Sequence, residues 1–68
     1  MIDETTTPEE AIRIALQREK AAYEFYTKAV KIAKYPGTRE MFESLAKEEL
    51  RHARLLEEEL NKDYFKEM

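Results

Sequence analysis

This chain predicts an all-α fold, an antiparallel two-helix hairpin that dimerises into a four-helix bundle, and three observations carry that prediction. Helix breakers are scarce, with one glycine and two prolines in 68 residues, and they mark only two places. The stretches between them repeat apolar residues at helical spacing. Each stretch is interrupted near its middle by residues a bundle interior does not ordinarily take: Glu19 in the first, Glu49 and His52 in the second.

The elements follow in chain order. Met1-Ile2-Asp3-Glu4-Thr5-Thr6 lacks the basic and apolar blocks of a signal peptide. Thr7-Pro8-Glu9-Glu10 is a helix start: Thr7 caps, Pro8 suits the first helical position, and Glu10 completes a capping box. The first helix is expected from about residue 8 to residue 34. Tyr35-Pro36-Gly37-Thr38 is a compact turn, in which Pro36 ends the first helix and Thr38 caps the second. The second helix is expected from about residue 39 to residue 60 or beyond, either fraying through residues 61–63 or continuing into Tyr64 and Phe65. No linker, repeat or low-complexity run divides residues 1–68, so one domain is expected. A connection this short sets the helices side by side and antiparallel.

Composition narrows the partners. A chain of this length sits near the lower limit for folding on its own core, so a partner chain or a bound group is expected to help. With no cysteine, disulfides, thiolate zinc sites and iron–sulfur clusters are excluded. Charged residues make up 40% of the chain, but they are finely mixed and the net charge is −3, which gives no basic patch for nucleic acid or acidic lipid. No run approaches the roughly 20 apolar residues of a membrane span. A soluble protein is expected, cytoplasmic or enclosed in a protein shell.

Alternating steps of four and three along the first helix give Ile12, Leu16, Glu19, Tyr23, Tyr26, Val30 and Ala33, a bundle-facing seam. The same count along the second helix gives Phe42, Leu45, Glu49, His52, Leu56 and Leu60. An isolated charge in such a seam costs several kcal/mol or takes up a proton, so it implies pairing or a metal. Glu19 lies 15 residues before Lys34, and Glu49 and His52 lie 10 and 13 residues after Arg39. At about 1.5 Å per residue the three stand within roughly 3–8 Å of one depth. Glu49 and His52 form Glu-x-x-His, one helical turn apart, and project to one side. Ala15, Ala22, Ala46 and Ala53 flank the carboxylates and leave space for a cluster.

One chain offers too few donors for a closed metal site, whereas a two-fold dimer offers four carboxylates and two imidazoles. Four negative charges balance two divalent ions. Mixed oxygen and imidazole donors suit iron, with manganese also accommodated, better than zinc. Two iron ions per dimer are therefore expected, held by Glu19, Glu49 and His52 of each chain.

Two stretches carry a resemblance: Ala15-Leu16-Gln17-Arg18-Glu19-Lys20-Ala21-Ala22-Tyr23-Glu24-Phe25-Tyr26, and Phe42-Glu43-Ser44-Leu45-Ala46-Lys47-Glu48-Glu49-Leu50-Arg51-His52-Ala53-Arg54-Leu55-Leu56. They resemble the rubrerythrin branch of the ferritin-like superfamily, as a single half-domain. That resemblance implies that Glu19 is a terminal carboxylate ligand, Glu49 bridges the metals and His52 is a terminal nitrogen ligand. It also implies a di-iron oxidoreductase that oxidises ferrous iron with dioxygen or peroxide, as a ferroxidase or a peroxidase in iron and oxidative-stress handling. Rubrerythrins usually carry both helix pairs in one chain. Here the second pair comes from a copy, as in the two-helix encapsulated ferritins, and larger homo-oligomers are compatible. Rubrerythrins also carry a four-cysteine iron domain for electron delivery. This chain has no cysteine, so peroxidase turnover needs an external electron donor.

Blander readings stand beside these. His52 alone reads as an interface histidine, and Glu19 alone as a solvated residue on a rotated seam. Tyr23 and Tyr26 either pack or hydrogen-bond a ligand carboxylate and hold its orientation. Glu48 lies near His52 on the helical wheel and is either a surface residue or a support for the site. Glu59 either guides cations or finishes the helix. Ile14, Ala21, Phe25 and Ile32 form a second stripe turned away from the seam, covered by Tyr64 and Phe65, by other dimers, or by nothing. The rival functions are a non-catalytic oligomerisation hairpin, and a storage or structural dimetal protein with slow turnover.

Overall fold

The computed structural model describes residues 2–62. Helix α1 spans Pro8–Ile32 and helix α2 spans Pro36–Leu60. The start of α1 contains both halves of the capping box. Thr7 Oγ1 accepts the Glu10 N–H at 3.1 Å, and the Glu10 carboxylate accepts the Thr7 N–H at 2.8 Å, so two donors at the helix start are satisfied reciprocally.

The connection differs from the expected turn at residues 35–38. Helix α1 ends at Ile32 rather than near Lys34, and α2 begins at Pro36 rather than near residue 39. Proline disfavours helical geometry in the residue before it, and Tyr35 is accordingly extended, with φ −106° and ψ 137°. At the first helical position the missing N–H costs nothing and the fixed φ fits, so Pro36 opens α2. Tyr35 is the N-cap and makes no side-chain cap hydrogen bond; Thr38 lies inside the first turn and is not the cap. Arg39 reaches back across the connection, its Nη2 donating to the Ala33 carbonyl at 3.0 Å. The expected continuation into Tyr64 and Phe65 lies outside the described residues, as does any cover they give to the second stripe.

Contacts between the helices pair descending numbers with ascending ones, which makes the hairpin antiparallel. Tyr26 stacks on Phe42 with ring centroids 6.2 Å apart and Glu19 meets His52; alongside them, Lys20 Nζ lies 3.8 Å from Glu57 Oε2. The close-packed line between the helices is made of small residues. Ala29, Ala46 and Ala53 are 7%, 8% and 5% exposed, and they are the only buried residues among those described. The larger seam residues Ile12, Leu16, Tyr26, Val30, Phe42, Leu45, Leu56 and Leu60 are half-buried. Phe25 and Ile32, on the second stripe, are exposed. The backbone extends 48 × 23 × 12 Å, and its radius of gyration is 15.1 Å, against about 11 Å for a compact chain of this length. None of the helices among the described residues is long and apolar enough to cross a membrane.

Candidate metal centre

The three polar residues of the seam meet at the middle of the hairpin. Glu19 projects from the centre of α1, and Glu49 and His52 project from α2 one turn apart. One ligand atom from each of the three lies within 4.8 Å of the other two. His52 Nδ1 is 3.3 Å from Glu19 Oε2 and 4.0 Å from Glu49 Oε2. All three residues are half-buried on the open face of the hairpin.

Electrostatically this grouping is unfinished. Glu19 Oε2 is a buried side-chain oxygen with no hydrogen-bond partner, although His52 Nδ1 faces it at 3.3 Å. A buried acceptor left unmade costs about 1–3 kcal/mol. The neighbouring Glu49 carboxyl is held above its ordinary pKa. The largest cause is the hydrogen bond it shares with Glu19 when protonated, followed by burial and the Glu19 charge; His52 acts in the opposite direction, and Glu48 adds a smaller upward push. Two carboxylates beside one imidazole therefore compete for too little positive charge.

A divalent cation fits this donor set. Small divalent ions hold nitrogen and oxygen donors at about 2.0–2.2 Å, so two donors on adjacent coordination positions stand about 3 Å apart. The separation of Nδ1 and Glu19 Oε2 is close to that value, and the buried unpartnered oxygen is the atom such an ion would satisfy. Two carboxylates and one imidazole are still an incomplete shell, and the open face gives room for further donors.

Of the remaining candidates, Glu48 lies on the far side of the imidazole, its Oε1 3.5 Å from His52 Nε2. Its carboxyl is held below its ordinary pKa, chiefly by the hydrogen bond from Arg51 and then by that guanidinium's charge. Tyr26 is engaged with Phe42 and, edge to face, with Phe25, and Tyr23 is 37% exposed. Glu59 pairs with Lys62, Nζ to Oε1 3.0 Å. Sequence reasoning passes over Arg51, which contacts both Glu48 and His52. Its signal was present, since it stands three residues after Glu48 on the same flank of α2.

A family model described as Rubrerythrin matches residues 1–62 of the chain. No curated protein and no solved structure matches it.

Proposed function

The chain belongs to the rubrerythrin family, and from that premise we propose that two copies pair through the seam face to complete a carboxylate-bridged di-iron centre that oxidises ferrous iron with dioxygen or peroxide. The observation that carries this reading is the buried, unpartnered Glu19 Oε2 facing His52 Nδ1, with Glu49 alongside. Such a grouping wants a cation, and the donor types suit iron or manganese.

Pairing is supported by what the lone hairpin leaves uncovered. A compact chain of 8.1 kDa exposes about 4,500 Å². This one exposes 5642 Å². The excess, about 1,100 Å², exceeds the roughly 800 Å² that one partner loses to a specific interface of standard size. Pairing about a two-fold axis doubles the donors to four carboxylates and two imidazoles, the inventory of di-iron carboxylate bundles.

In this reading Glu19 and Glu49 supply negative charge and oxygen donors, and His52 supplies the Nδ1 lone pair. Leu16, Leu45 and Leu56, half-buried around them, are covered by the partner and keep water from the centre. Tyr23 and Tyr26 lie one and two turns beyond Glu19, and Tyr26 is engaged with Phe25 and Phe42. Held by Glu19, Glu49 and His52, iron would supply the electrons that reduce dioxygen or peroxide. No cysteine is available to return them, so repeated peroxide turnover draws on an external reductant.

Metal content measured together with solution mass tests the proposal. The expected result is one iron per chain in an even-numbered oligomer, with oxidation of added Fe²⁺ in air. A monomer that takes up no iron overturns it.

A further inference from the structure

His52 has two sets of neighbours, one at each ring nitrogen. Nδ1 faces Glu19 and Glu49. Nε2 lies 3.5 Å from Glu48 Oε1 and 3.4 Å from Arg51 Nη2. Arg51 in turn closes on Glu48, with Nε donating to Oε1 at 3.1 Å and Nη2 donating to the same oxygen. The spacing of Glu48, Arg51 and His52 at i, i+3 and i+4 puts all three on one flank of α2.

A neutral imidazole carries one N–H and one lone pair, and the partner of one nitrogen decides the state of the other. The two groups beside Nε2 make opposite demands. A carboxylate accepts, so Glu48 draws the proton to Nε2 against the pull of Glu19 and Glu49 on Nδ1, and a cation held by those two carboxylates leaves Nδ1 its lone pair. A guanidinium only donates, so Arg51 bonded to Nε2 would put the proton on Nδ1, where it points at Glu19 and repels a cation.

We propose that Glu48, held by Arg51, is a positioning residue that accepts the Nε2–H of His52 in competition with the Arg51 Nη2 beside it, and so keeps the Nδ1 lone pair turned to the metal centre. This rests on reading Glu19, Glu49 and His52 as the ligands. Carboxylates that support a metal-bound histidine commonly change metal affinity by about 10–100-fold when removed. The side chains of Glu48 and Arg51 are 50% and 61% exposed, so bulk solvent screens their charge. What matters here is the acceptor atom, and a neutral acceptor of the same shape serves.

The test is anaerobic Fe²⁺ titration of the full chain, with solution mass and helicity matched among variants. Glu48→Ala is expected to lower Fe²⁺ affinity about 10–100-fold. Glu48→Gln, which retains an acceptor without the charge, is expected to remain within about three-fold of the parent. The chain contains one histidine, so the ring N–H in the Fe²⁺-loaded protein gives a single exchangeable proton resonance displaced by the paramagnetic ion. That resonance persists in the parent and in Glu48→Gln, and is lost to solvent exchange in Glu48→Ala. Unchanged affinity and an unchanged resonance in Glu48→Ala overturn the proposal while leaving the ligand assignment intact. Loss in Glu48→Gln with retention in Glu48→Asp overturns it in favour of a charge effect. A parent chain that binds no Fe²⁺ overturns the ligand assignment itself, and this inference with it.

Discussion

His52 Nδ1 and Glu19 Oε2, on different helices, stand 3.3 Å apart, and the oxygen is buried without a hydrogen bond. Without metal this contact is a liability. Glu19→Leu is expected to raise the stability of the metal-free protein by about 1–3 kcal/mol, because it removes a buried carboxylate oxygen that has no hydrogen bond and extends the apolar seam. The same change abolishes any stabilisation by Fe²⁺. Thermal melts with and without Fe²⁺ read both effects, and a metal-free variant that melts below the parent contradicts the first.

Because nothing larger than alanine is buried among the described residues, folding and pairing are expected to be one transition. Dilution by about ten-fold should then lower the melting temperature by about a few degrees. Glu49→Ala should keep that concentration dependence while losing the response to Fe²⁺. A melting temperature independent of concentration argues for a self-sufficient monomer.

At 5% exposure, Ala53 is the most buried of the three alanines between the helices. Ala53→Leu adds bulk to this small-residue line between the helices and is expected to cost about 1–3 kcal/mol by overpacking. Denaturant unfolding at fixed protein concentration measures it. Leu55→Ala, at a position 53% exposed, is the comparison, and in the lone hairpin it should cost less.

At the start of α1 the Glu10 carboxylate accepts the Thr7 backbone N–H, and this bond, with the Thr7 side chain adding to it, holds the Glu10 pKa below its ordinary 4.5. A depressed carboxylate contributes stability that is fully present above its unfolded pKa and is lost as pH falls through the folded one. The carbon-13 titration midpoint of Glu10 should therefore fall below that of the same residue in the urea-unfolded chain. Thr7→Ala should weaken the helix start by about 1 kcal/mol.

Gly37 lies inside the first turn of α2, its φ is not positive, and a Cβ built on it meets nothing within 4 Å. Its backbone freedom is therefore not needed there. Gly37→Ala is expected to stabilise the protein by about 0.5–1 kcal/mol, chiefly by restricting the unfolded chain. Loss of stability would mean that pairing brings another surface against this turn.

The helical hairpin and the convergence of Glu19, Glu49 and His52 were legible because both follow from periodicity and rise, which scarcely depend on detail. The connection was less legible. Pro36 is compatible with ending one helix or opening the next, and only the extended Tyr35 beside it shows that the second applies. Arg51 was missed because an arginine three residues after a glutamate is usually a surface pair. Its bearing on His52 appears only when the rotamers place Nη2 beside the ring. The tyrosines divided as side-chain geometry dictates: Tyr26 is taken up by its ring neighbours, whereas the partly exposed Tyr23 shares no such stacking among the described residues.

Each chain carries one Glu19, one Glu49 and one His52, and in the proposed pair that economy has a genetic consequence. No substitution in the seam is ever single. A change in one codon enters the bundle twice, on opposite walls, so a loss of 1 kcal/mol per chain is felt as roughly two per assembled centre where the sites act independently. The two metal positions also cannot drift apart in ligand chemistry while one gene encodes both halves. Divergence between them requires a second gene or a fusion that lets the halves mutate separately.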